Sequence, residues 1–142
     1  MQNLDYELRC DNLVTPQDVS TAAEKNTNTN MYRSMAKYRK GLVIVTAHLT
    51  DTKTAIAQLV SAEDAAGTSK GDVSGKTVTL TGTTAAPEQV GQIEFDVNDL
   101  IGNDADELFV GVDITTNEDN DDIAAVLVRG AARYFMGGSM PV

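Results

Sequence analysis

His48 is the only histidine in the chain, and so the one side chain whose ordinary pKa suits general acid–base work near neutral pH. It lies in the run LVIVTAHLT, where a strand would send Thr46, His48 and Thr50 to one face and Val45, Ala47 and Leu49 to the other. Six serines and many aspartates are available for a Ser-His-Asp set, yet no GxSxG elbow presents a nucleophile. Cys10 is the only thiol, and Asp5, Glu7 and Asp11 around it oppose thiolate formation, so it reads as inert. With one cysteine no intrachain disulfide forms. Cys10 and His48, 38 residues apart, fall short of the four or so ligands a structural zinc takes. The run TTNEDNDD, residues 115–122, could attract Ca²⁺ through its carboxylates and amide oxygens, but it lacks the sixth-position glycine and distal glutamate of an EF-hand. A solvated hairpin connection is the favoured reading there. The glycines of GTSKGDVSGK suit turns, since no GxxxxGK[ST] follows a strand. No catalytic residue, cofactor or metal is expected, and the chain reads as a non-enzyme.

The elements that would position these residues are short β-branched runs from residue 42 onward, separated by Gly, Asp, Asn and Thr clusters. Strands are expected at 42–49, 54–62, 76–82, 90–97, 107–116 and 122–133. In the fifth, Leu108, Val110, Val112 and Ile114 share one face, with Phe109, Gly111 and Asp113 on the other. In the fourth, Ile93, Phe95 and Val97 alternate with Gln92, Glu94 and Asp96, a strand with one wet side. Spacing without helical periodicity between the runs argues against βαβ units and for an all-β, antiparallel β-sandwich. The segments SAEDAAGTSK and NDLIGNDADE are expected to be connections, although Asn98 or Asp99 could cap one helical turn in the second. Residues 1–30 read as an extensible arm, with a short helix starting at Thr15-Pro16 and the low-complexity run NTNTN. The domain division expected is therefore 1–40, arm and basic segment, and 41–142, the β-sandwich, which would fold without the first part. The tail FMGGSMPV is expected to be mobile or packed on a neighbouring subunit.

Composition narrows the partners. The 142 residues are 42% hydrophobic and 5% aromatic, with a net charge of −10, the wrong sign for general attraction to nucleic acid or anionic membrane. No apolar run reaches the roughly 20 residues of a spanning helix, and MQNLDYELRCDNL lacks a secretory-signal pattern, so a soluble product made in the cytoplasm is expected. The charge is polarised. Between Glu88 and Asp122 every charged residue is acidic, whereas MYRSMAKYRK, residues 31–40, is purely basic and interleaves tyrosines. Tyr32, Arg33, Lys37, Tyr38, Arg39 and Lys40 are therefore the expected partner-binding residues, suited to an acidic protein surface. The competing reading pairs those cations with the acidic half of the same chain or of a symmetry mate.

The segment Ala57–Thr68 has the form AQLxxAxDAxGT, Asp72–Lys76 forms a D(I/V)xGK turn into a Thr-rich strand, and Arg129–Arg133 ends the last strand as RGxAR. On these motifs, spread over about two thirds of the chain, the sequence resembles the head auxiliary proteins of tailed bacteriophages, the capsid cement or decoration group. The resemblance implies a jelly-roll-like β-sandwich on the outside of the virion, without enzymatic activity, that clamps neighbouring capsomers. It implies the major capsid protein as partner and self-association, a homotrimer being favoured. A head–tail or tail adaptor or fibre module, binding another virion protein or a host glycan, is the alternative.

Overall fold

Period-two alternation becomes two antiparallel sheets in the computed structural model, which describes residues 8–19, 25–26, 32–103, 108–117 and 121–132. The elements are β1 (Leu8–Val19), β2 (Lys25–Asn26), β3 (Arg33–Ser34), β4 (Tyr38–His48), β5 (Thr54–Ala62), β6 (Gly71–Thr81), β7 (Glu88–Asp96), α1 (Val97–Asn103), β8 (Phe109–Thr116) and β9 (Asp121–Ala132). One sheet has the order β1-β9-β4-β7; the other runs β2-β8-β5-β6, with β3 also on β8. β2 and β3 take opposite ends of one edge, Lys25 opposing Thr115 and Arg33 opposing Val110. Apart from β2 to β3 and the β5–β6 pair, each strand is followed by one in the other sheet. That back-and-forth winding, with eight strand positions in two four-position sheets, is a jelly roll. All six expected strands are present.

Three expectations about local structure are corrected. Residues 8–19, expected to belong to a free arm, form a twelve-residue strand paired with β9 from Leu8 opposite Gly130 to Val19 opposite Asp121. A helix beginning at Thr15-Pro16 is thus excluded. Pro16 falls between Val14 and Gln17, where the register shifts, and a bulge on an edge strand is where a residue without an N–H can sit. β8 and β9 lie in different sheets, so they are not the two strands of a hairpin. NDLIGNDADE holds a helix and not only a connection. Its cap is Asp96, whose carboxylate accepts the Asn98 N–H at 2.9 Å while Asp99 reaches back to accept the Asp96 N–H at 2.8 Å. The backbone bond, against burial and with Lys76 in support, holds the Asp99 carboxyl below its ordinary value.

The core lies between the sheets. Val43, Val45, Ala47, Ile93, Phe95, Ile123, Ala125 and Leu127 face Ala55, Ala57, Leu59, Leu80, Val110, Val112 and Ile114, all buried. Phe95 is the one aromatic among its fully buried members, so the layer is thin and aliphatic, and methylene-level packing sets its stability. A second, smaller cluster of Tyr32, Val60, Ala62 and half-buried Phe109 forms on the outer side of the other sheet. The 63–70 connection folds over it, ordered by Asp64, which accepts the N–H groups of Ala66 and Thr68 at 2.9 and 3.0 Å.

Candidate interaction surfaces

The structure splits the basic segment by the pull of its surroundings. Tyr32 is buried, its ring so close to Gly67 and Gly111 that a Cβ at either would come within 2.5 and 2.6 Å. Burial pushes its phenol above the ordinary pKa. Lys70 and Asp113 form an ion pair at 3.3 Å on the same outer side. Arg33 donates two hydrogen bonds to the Asn12 carbonyl, at 3.3 and 3.2 Å, tying β3 to β1. Tyr38 is half-buried, with the Arg129 guanidinium 4.8 Å from its ring centroid. Lys37, Arg39 and Lys40 are exposed. Of the six residues, then, three present charge to solvent and three hold the fold.

Behind them lies a charged cluster between the sheets. Arg129 continues the inward row Ile123, Ala125, Leu127 and is itself buried. It donates to the Asp11 carboxylate and, at 2.5 Å, to the Ser34 carbonyl. Its Nε is buried with no hydrogen-bond partner among the described residues. Burial alone would raise the Asp11 carboxyl, but the Arg129 bond and charge, with Arg9 and Arg33 nearby, hold it below its ordinary value. This cluster joins β1, β9 and the start of β4.

The outer face of the four-stranded sheet is the other feature. Register places Cys10, Val128, Leu42 and Glu94 in one row; Asn12, Val126, Ile44 and Gln92 in the next; then Ala124, Thr46 and Val90; and finally Asp122, His48 and Glu88. Leu42, Ile44, Ala124, Val126 and Val128 are only half-buried, and Val90 and Leu8 are 65% and 50% exposed. Two shallow hollows, about 630 and 340 Å³, sit at the two ends of this face, the first around Leu42 and Val128, the second around His48 and Ala124. The two central strands thus carry an apolar strip outward as well as inward.

This strip escaped the sequence reading, although its signal was there: LVIV at 42–45 and IAAVLV at 123–128 are apolar at both parities, the pattern of strands covered on both faces. The Asp11–Arg129 pair had no local signal, because its partners are 118 residues apart. His48 stands exposed beside Asp122 and Glu88, and Cys10 is free and exposed. Among the described residues no three His, Cys, Asp or Glu side chains come together to hold a metal ion. The middle of the 115–122 run and the tail from residue 133 lie outside the described residues.

No family model matches the chain. No curated protein matches it in sequence. Solved structures match in shape. A chain of the T13 IBDV viral particle aligns at TM-score 0.51 and 10% identity over 87% of this chain and 31% of its own. A chain of infectious bursal disease virus, Gx strain, aligns at TM-score 0.50 and 10% identity over 94% of this chain and 34% of its own. SPBc2 prophage-derived protein YomS aligns over 88% of this chain and 94% of its own, but its TM-score of 0.46 carries no argument. The chain therefore spans about a third of each of these two viral chains. At such identity the likeness shows the fold, a jelly roll resembling those of viral capsid proteins.

Proposed function

We propose that the chain is a structural virion protein, a cement or decoration protein that binds the outside of an assembled phage head and ties neighbouring capsomers together. The observation that carries this reading is the two-sheet strand order, a fold that the chain shares with a chain of a viral particle at TM-score 0.51. The motifs at Ala57–Thr68, Asp72–Lys76 and Arg129–Arg133 point the same way. The reading involves no chemical step. A protein that binds only the assembled shell adds its binding free energy to shell stability by linkage, and many weak copies suffice. Lys37, Arg39 and Lys40, exposed near one end of the sandwich, would meet acidic patches of the major capsid protein. The test is to add purified protein to heads that lack it. Saturable binding to assembled shells, with a rise in the temperature at which they release DNA, supports the reading; absence of binding refutes it. A head–tail or tail adaptor is the second reading, favoured by the acidic overall charge no more than the first, and copy number separates them.

A further inference from the structure

We propose that the outer face of the β1-β9-β4-β7 sheet seats an amphipathic helix of a partner protein, laid along β4 and β9 with a basic end over Asp122 and Glu88 and an acidic end over Lys40. A sheet is apolar on the face that another element covers, and the two central strands here are apolar on both faces. Leu42, Ile44, Ala124, Val126 and Val128 turn outward and stay only half-buried, a strip that no described element of the chain covers. Its ends differ in charge. At one, Glu88 and Asp122 flank His48, all three exposed, and no lysine or arginine pairs with either carboxylate among the described residues. At the other, Lys40 stands exposed opposite Gly130, with Lys37 and Arg39 exposed just before it. Glu94 and Asp96 lie on β7 at that end, but Asp96 is engaged as the α1 cap.

The kind of occupant follows from what the strip lacks. Its backbone groups are bonded within the sheet, so an extended segment lying flat on it would bury N–H and C=O groups without partners. A helix satisfies those groups internally. The dimensions agree. Two strands about 4.8 Å apart present a strip about 10 Å wide, the diameter of a helix, and the steps from Lys40 to His48 at about 3.3 Å each match about five helical turns. Hollows of about 630 Å³ beside Leu42 and Val128 and about 340 Å³ beside Val90 and Ala124 lie under its two ends, where large apolar side chains of the helix would anchor. Among the described residues the chain's own helix is the seven-residue α1, too short for this strip, so the helix comes from a different protein. The inference concerns this face alone and holds for a head or a tail partner alike.

The probe is a fluorescein-labelled synthetic peptide of about 18 residues, with leucines at helical spacing, lysines at one end and glutamates at the other. Fluorescence anisotropy near neutral pH follows its binding to wild type, Ile44→Lys and Asp122→Lys. The expected dissociation constant is about 10 to 100 μM for wild type, raised at least tenfold in Ile44→Lys and severalfold in Asp122→Lys. A second peptide with glutamates at both ends should reverse the last effect, binding Asp122→Lys more tightly than wild type. Circular dichroism checks that the variants keep their strands; should Ile44→Lys lose them, Asp122→Lys, which changes only an exposed residue, decides through that reversal. No binding up to about 1 mM, or equal binding by all three proteins, would overturn the proposal. So would equal binding of a peptide interrupted by central prolines, which points to an extended occupant, or sedimentation that shows wild type self-associating and Ile44→Lys monomeric, which points to a second copy.

Discussion

Arg129 shows how one residue decides what a strand end becomes. A buried guanidinium is costly unless paired, and here Asp11 and the Ser34 carbonyl supply the pairing while Tyr38 covers its face. Replacing Asp11 by Ala leaves the guanidinium buried without its counter-charge and should cost about 3 kcal/mol in urea denaturation at pH 7. Because the folded-state pKa of Asp11 lies below its ordinary 3.8, the contribution is full above that value and is lost as pH falls through the folded value. The gap between wild type and Asp11→Ala should therefore be widest near neutrality and close as the pH drops below about 4. The basic segment offers a second comparison. Tyr32→Ala, which empties the space between Gly67 and Gly111, should destabilise by about 3 kcal/mol, whereas Lys37→Ala and Arg39→Ala should stay within about 0.5 kcal/mol. Equal effects would mean that the segment acts as one surface after all.

The cores of β4 to β9 were legible in the sequence because alternation and β-branching are local. Thr54–Ala62 has the limits that its residues imply, flanked by turn formers on both sides. β1 was not legible: LRCDNLVTPQDV has polar residues at both parities and a proline, and it becomes a strand because β9 offers an edge and Arg129 a charge. Helix α1 was half legible, a single turn being expected there with its cap misplaced by two or three positions, since Asp96 reads equally well as the wet side of β7. Asp96→Ala should loosen this helix at a cost of about 1 kcal/mol, with faster amide exchange confined to 97–103. The arm's inclusion in the sheet changes the truncation experiment too. Removing residues 1–40 takes away an edge strand of one sheet and the β8 edge of the other, so the remainder should fail to fold cooperatively, where the sequence alone implied an intact β domain.

At the scale of the molecule, the net charge of −10 is distributed over a sandwich that keeps an apolar strip on one outer face and exposed cations near one end. Such a surface suits a protein that sits among copies of itself on a larger partner, kept soluble by its charge until local concentration makes weak contacts count. The most direct test of that account is the number and place of copies in the native particle, by quantitative mass spectrometry with imaging of the head. Tens to hundreds of copies on the outer shell, roughly as closed-shell symmetry requires, are predicted. About a dozen copies or fewer, confined to the tail or its junction, would contradict it.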